Sequence, residues 1–197
     1  SYRELHGRTF GIIGYGAIGK RVALLANAYE MNVIAAGRSP ETVAEAEADG
    51  VKYGSGQDAM DQVLSESDFV LVSTPLIDST RGLIGEREIG LMRQDAYLIN
   101  PARGHIVDEK ALYEALASKS ITGAAIDTWY EYPVNETDSP RPAKYPFWEL
   151  DNIIMTPHHS GATFGTRDRR AETVAANIDR IAKGQPLVNV LTDISTI

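Results

Sequence analysis

The sequence predicts an α/β protein in which one doubly wound, mostly parallel sheet lies between two layers of helices. Three observations predict it. Short apolar runs alternate with helical segments along the chain, a glycine-rich turn joins the first run to the first helix, and no segment approaches the roughly 20 apolar residues of a membrane span. The chain has 197 residues, 43% of them hydrophobic, which is enough to bury a core without cross-links.

Thr9-Phe10-Gly11-Ile12-Ile13 is a short apolar run that ends in glycines and reads as a buried strand. A helix follows over 18–29, with Ile18, Val22, Leu25 and Tyr29 on one face, and Val33-Ile34-Ala35-Ala36 is the second strand. Ser39 begins an Ala/Glu-rich helix over 40–48, with Pro40 at its first position. Phe69-Val70-Leu71-Val72 is a strand stopped by Pro75, and Ala96-Tyr97-Leu98-Ile99 is another. Asp108 caps a helix through Leu116. Strands over 122–126 and 153–155 bring the expected total to six or seven, and a long helix over 163–182 ends at Gly184 and Pro186. Between Tyr132 and Pro146 lie Pro133, Pro140 and Pro142 among polar residues, which excludes a helix or a central strand. The length of that segment predicts a packed functional or subunit-contact arm.

Gly14-Tyr15-Gly16-Ala17-Ile18-Gly19 is G-x-G-x-x-G, and here it follows a strand and opens a helix. That context is what gives the pattern its meaning as the Rossmann phosphate turn. Gly14 permits the tight turn, Gly16 lets the backbone approach a pyrophosphate, and Gly19 allows close helix–strand packing. The backbone N–H groups of the helix start, with their partial positive charge, face the phosphates. If the cofactor were NAD(H), the second strand should end in a carboxylate for the ribose 2′-hydroxyl. This chain has Gly37-Arg38-Ser39 there. A small residue removes repulsion from a 2′-phosphate, Arg38 can pair with it, and Ser39 can hydrogen-bond it. NADP(H) is therefore expected ahead of NAD(H). Arg38 stacked on the adenine would serve either.

Composition narrows the partners. Asp and Glu total 27 against 19 Lys and Arg, for a formal net charge of −8, which argues against a nucleic-acid-binding face. The absence of cysteine excludes a disulfide framework and a thiolate metal site, and no metal is expected. A cytoplasmic location fits that usage, with no membrane partner. The first residue is Ser1, which suggests a fragment, a processed product or a trimmed chain.

From Val72 onward the chain resembles the D-2-hydroxyacid dehydrogenase family. The matching stretches are Ser73-Thr74-Pro75-Leu76 with Thr80-Arg81-Gly82-Leu83-Ile84, then Leu98-Ile99-Asn100-Pro101-Ala102-Arg103-Gly104 with Val107-Asp108. Gly123-Ala124-Ala125-Ile126-Asp127 and Asp151-Asn152-Ile153-Ile154-Met155-Thr156-Pro157-His158 follow in the same order. The resemblance implies hydride transfer between a nicotinamide cofactor and a 2-oxo or D-2-hydroxy acid. It implies that Arg103 binds the substrate carboxylate and carbonyl, a task suited to a planar guanidinium, and that His158 is the general acid/base. The cofactor would meet Thr74, Pro75, Thr80, Asn100, Ala102, Asp127, His158 and Gly161 besides the glycine turn. Asp127 would face the nicotinamide carboxamide, and Asn100 would hold the Arg103 loop. The family's usual glutamate partner of the histidine is replaced by Tyr132, which can orient a ring but adds no charge at neutral pH.

The family also dimerises through its cofactor domain, so a two-fold homodimer is implied, with Tyr145, Phe147 or Trp148 at or near the contact. Its full-length members carry a substrate domain before the glycine turn. The resemblance therefore predicts residues 1–197 as the dinucleotide-binding domain alone, with 185–197 similar to the segment that returns to the other domain. Such a chain is expected to bind dinucleotide with little turnover by itself. A different reading stays open, a non-catalytic module for dimerisation or cofactor sensing, because the family includes corepressors that bind NAD(H) and partner proteins.

Overall fold

The first apolar run forms strand β1 (Thr9–Ile13), and helix α1 (Ala17–Ala28) follows the glycine turn in a computed structural model that describes residues 4–135 and 137–190. Next come β2 (Asn32–Gly37), α2 (Val43–Ala48), β3 (Lys52–Ser55), α3 (Gln57–Glu66) and β4 (Phe69–Val72). The order is completed by α4 (Glu86–Leu91), β5 (Tyr97–Asn100), α5 (Glu109–Ala117), β6 (Gly123–Ile126), β7 (Ile153–Met155) and α6 (Phe164–Ala182). The described residues fall into two compact units that divide between Pro157 and His158.

In the first unit the seven strands make one sheet, in the order β3-β2-β1-β4-β5-β6-β7, with every neighbouring pair parallel. Successive side chains on a strand face opposite ways, so each strand feeds two cores. Ile13, Val70, Val72, Leu98 and Ile126 enter one, while Ile12, Val33, Ala35 and Leu71 enter the other. That is the Rossmann-like three-layer arrangement. All strands run the same way, so all their C-terminal ends leave one edge. The order reverses between β1 and β4, where such sheets open a crevice.

Several elements differ from expectation, each for a physical reason. The large apolar residues of α1 do not form its core face. Gly19, Ala23 and Ala26 are buried, whereas Ile18, Leu25 and Tyr29 are more than half exposed and Val22 is intermediate. The helix comes too close to the sheet for anything larger, since a Cβ on Gly19 would stand 2.5 Å from the Gly14 carbonyl oxygen. The helix expected over 40–48 is split, because Pro40–Thr42 forms a 3-10 turn before α2. Strand β3 and helices α3 and α4 were not foreseen. In the proline-rich segment, Tyr130 and Glu131 both donate backbone N–H groups to the Pro142 carbonyl. Phe147 is fully buried among Tyr113, Trp129 and Tyr130, so it belongs to this chain's own core and not to a subunit contact. Tyr145 stacks on Tyr113, and the Arg141 guanidinium lies 4.2 Å over the Trp148 ring.

The second unit holds α6, entered through Thr163, whose hydroxyl lies 2.6 Å from that of Thr166. Beyond Gly184, at φ +64°, the chain folds back on the helix. Asn177 donates to the Val188 carbonyl at 3.0 Å and accepts from the Val188 N–H at 3.1 Å. Residues 191–197 of the expected returning segment lie outside the described residues. Among the described residues no helix is long and apolar enough to cross a membrane.

Candidate functional site

The three glycines of the turn after β1 differ in what their surroundings demand. Gly14 has φ +98°, and a Cβ there would stand 2.9 Å from backbone atoms of Ser73 and Thr74. Gly19 lets α1 approach the Gly14 carbonyl. Gly16 is different, since its φ of −92° suits any residue and a Cβ would meet nothing within 4 Å. The chain's own packing thus does not demand glycine at 16. A side chain there would project into open space at the start of a 12-residue helix that no side chain caps. This is the cradle a pyrophosphate fills in such turns, so the residues present fit a dinucleotide.

The neighbouring loops hold the turn in place. Gly14 N–H donates to the Ala36 carbonyl at 2.8 Å, and the Ser73 hydroxyl donates to the Gly14 carbonyl at 2.7 Å. Sequence reasoning singled out Thr74 and Pro75 but missed Ser73, whose role is visible only once β1 and β4 are neighbours. The Thr74 hydroxyl is buried and has no hydrogen-bond partner among the described residues. Thr80 is buried and donates its hydroxyl to the Pro75 carbonyl at 2.6 Å, so it shapes the loop from within. Tyr15 also faces inward. Its ring is buried and its hydroxyl donates to Asp49 at 2.9 Å, which leaves its backbone to line the turn. Burial, and then the Asp49 carboxylate, push that hydroxyl's pKa well up.

At the end of β2, Arg38 and Ser39 are exposed, and among the described side chains no carboxylate pairs with Arg38. Gly37 has a reason that the sequence did not disclose. A Cβ there would stand 2.5 Å from the Tyr53 hydroxyl oxygen.

Past β5, the buried Asn100 organises the next loop. Its Nδ2 donates to the Arg103 carbonyl and its Oδ1 accepts from the Ala102 N–H, each at 3.0 Å. The Asp127 N–H in turn donates to the Asn100 carbonyl at 3.2 Å. Gly104 presses on the Trp129 carbonyl, 2.5 Å from where a Cβ would stand, and so locks the Arg103 loop against the loop after β6. Arg103 itself is exposed, donates to the Ala102 carbonyl at 2.7 Å, and has no carboxylate partner among the described residues. Asp127 is buried and accepts the Thr156 hydroxyl at 2.6 Å. The Tyr132 hydroxyl accepts the Trp129 N–H at 2.9 Å. The first unit therefore brings the glycine turn, the β2 tip, Thr74, Pro75, Asn100, Ala102, Arg103 and Asp127 to one sheet edge. His158 and Gly161 belong to the second unit, where both are exposed. His158 adopts φ +59°, a left-handed backbone uncommon outside glycine.

Comparison with known proteins places these features in company. Residues 1–160 match the family model described as D-isomer specific 2-hydroxyacid dehydrogenase, NAD binding domain. A glyoxylate reductase of Pyrococcus furiosus is 37% identical over 182 residues, which is 92% of this chain and 50% of the relative. The chain spans about half the length of the curated relatives it matches. Among solved structures, a D-isomer specific 2-hydroxyacid dehydrogenase from Lactobacillus delbrueckii ssp. bulgaricus in its NAD-complexed form is similar with a TM-score of 0.81 and 31% identity, covering 98% of this chain and 58% of that one. An acyclic imino acid reductase in complex with NADPH and D-Arg gives 0.79 and 30%, covering 96% and 55%.

Proposed function

The chain belongs to the D-isomer specific 2-hydroxyacid dehydrogenase family, and on that premise we propose that it is the cofactor-binding part of an oxidoreductase that interconverts a 2-oxo acid and a D-2-hydroxy acid. The observation that carries the reading is Arg103. It is an exposed guanidinium, held at the sheet edge by a loop that Asn100 and Gly104 brace, with no carboxylate of the described chain to neutralise it. A group so held is built to take an anion from outside, and its fork suits a carboxylate beside a carbonyl.

The glycine turn and the β2 tip would hold a dinucleotide whose nicotinamide would supply hydride chemistry at the carbonyl carbon. His158 gives the carbonyl oxygen its proton during reduction and takes it back during oxidation. Its left-handed backbone supports that assignment, since strained conformers gather at sites where position matters. Tyr132 brings no carboxylate, and its hydroxyl already receives the Trp129 N–H, so its part is to brace the loop after Asp127. Asp127 stands nearest the nicotinamide end, and Asn100 holds the Arg103 loop in place beside it. Steady-state reduction of glyoxylate, pyruvate and hydroxypyruvate, followed by nicotinamide absorbance, tests the reading in a full-length protein. Failure to turn over any 2-oxo acid would overturn it.

The preferred cofactor is NADP(H), supported by Arg38 and Ser39 at a β2 tip that lacks a carboxylate. NADPH is expected to bind tighter than NADH, and Arg38→Ala to narrow the gap by about 1–3 kcal/mol, as for a lost charged hydrogen bond. Calorimetry that finds NADH binding equal or tighter would sink this preference.

The assembly proposed is a two-fold dimer. It is supported by the outward apolar residues of α1, Ile18, Leu24, Leu25 and Tyr29, all more than half exposed in the single chain. With Phe147 withdrawn into the core, Tyr145 and Trp148 remain the aromatic candidates of the arm. Light scattering at micromolar concentration should give twice the chain mass, and a monomer mass would refute it.

A further inference from the structure

A residue on the neighbouring strand shapes the tip of β2. Tyr53 lies on β3, paired with Ala35, and its hydroxyl donates to the Ser39 carbonyl at 3.0 Å. A Cβ at Gly37 would stand 2.5 Å from that same oxygen, but 3.4 Å from the ring carbon that bears it. The ring could make room only by turning, which would give up its hydrogen bond to the Ser39 carbonyl. It packs against Tyr15 of the glycine turn with centroids 6.1 Å apart, and Tyr15 is itself buried and tied to Asp49. One oxygen atom therefore does two things. It bars any side chain from residue 37, and it holds the turn that carries Arg38.

We propose that Tyr53 is a specificity-determining positioning residue for the adenosine end of the dinucleotide. Its hydroxyl closes the β2 tip to the carboxylate that would recognise a ribose 2′-hydroxyl, and it presents Arg38 and Ser39 for a 2′-phosphate. The second half of this statement rests on the NADP(H) reading above; the first half is steric and stands apart from it. A carboxylate at 37 needs a Cβ, and the Cβ needs the place that the Tyr53 oxygen fills. Phenylalanine at 53 removes that atom and leaves the ring at ordinary van der Waals distance. Recognition of NADH through residue 37 should therefore require two substitutions together, where either alone fails.

The test is a double-mutant cycle of wild type, Tyr53→Phe, Gly37→Asp and the double variant, with NADPH and NADH affinities by calorimetry and Tm by thermal melting. Tyr53→Phe should lower Tm by no more than about 2–4 °C and lower the NADPH-over-NADH ratio about three- to tenfold, the effect of one neutral hydrogen bond. A purely structural role would lower Tm and leave that ratio unchanged, and would overturn the positioning part. Gly37→Asp alone should lower Tm and weaken both cofactors. The double variant should recover Tm and bind NADH at least about tenfold tighter than Gly37→Asp alone, as a charge-assisted hydrogen bond would allow. Equal NADH affinity in Gly37→Asp and the double variant, or a double variant no more stable than Gly37→Asp, overturns the exclusion. A wild type that prefers NADH overturns the NADP(H) reading instead, while the cycle read on NADH and Tm still decides for or against the part given to Tyr53.

Discussion

Replacing His158 with alanine in the full-length protein is expected to cut kcat for 2-oxo acid reduction by about two to four orders of magnitude, the usual contribution of a positioned acid/base group. Dinucleotide affinity should stay within about twofold of wild type, as for a residue that touches the cofactor only at its margin. The cradle for the pyrophosphate and the β2 tip belong to the first unit, and His158 begins the second. Its backbone supplies a control. At φ +59°, glycine is the residue that fits without steric cost, so His158→Gly should fold at least as well as His158→Ala. Both variants should lose turnover alike, which separates lost chemistry from lost structure. A complementary signature is expected at Arg103, where lysine keeps the charge but not the fork and should raise KM for the oxo acid. Steady-state kinetics of the three variants decide the matter, and full activity in either histidine variant removes His158 from the mechanism.

How far this site was legible in the sequence depends on which interactions define each residue. The strands over 69–72 and 153–155 match their apolar runs residue for residue, the first because a buried parallel strand shows as an unbroken hydrophobic segment, the second because its three residues are all apolar although it lies at the sheet edge and none of them is buried. The glycine turn was legible for the same local reason. Strand β3 was not, since an edge strand of 4 residues that begins at Lys52 and ends at Ser55 carries no such run. Hydrophobicity also misled at α1, where closeness to the sheet selects for small residues and leaves the large ones outside. Phe147 follows directly on the polar, proline-rich segment, and the rings of Tyr113, Trp129 and Tyr130, brought from elsewhere, make its place a core. Gly37 shows the limit best. The residue was visible and a reason for it was available, yet the contact with Tyr53 exists only when β2 and β3 pair. Asn100 and Gly104 are similar, for their partners are backbone atoms of loops that follow other strands.

Gly14 and Gly16 of the turn should respond to alanine in opposite ways, and that contrast tests the cradle most directly. At Gly14 the new Cβ would sit 2.8–2.9 Å from Thr74 and the Ser73 backbone, on a residue already at φ +98°. The Ser73 hydrogen bond to the Gly14 carbonyl and the Gly14 N–H bond to the Ala36 carbonyl both oppose the shift that would relieve the clash. Overpacking and backbone strain together should remove about 3 kcal/mol of stability. For a chain of this size that is a fall in Tm of about 6–12 °C, with dinucleotide binding lost alongside. At Gly16 the new Cβ meets nothing, and φ −92° suits alanine, so Tm should stay within about 2 °C of wild type. The same methyl group would stand where the pyrophosphate must approach the helix N-terminus. Dinucleotide affinity should then fall at least about tenfold with no loss of fold. Melting curves and calorimetric titration of the two variants give both quantities. A Gly16→Ala protein that binds dinucleotide as wild type does would mean that this turn is not the phosphate site, whatever its sequence resembles.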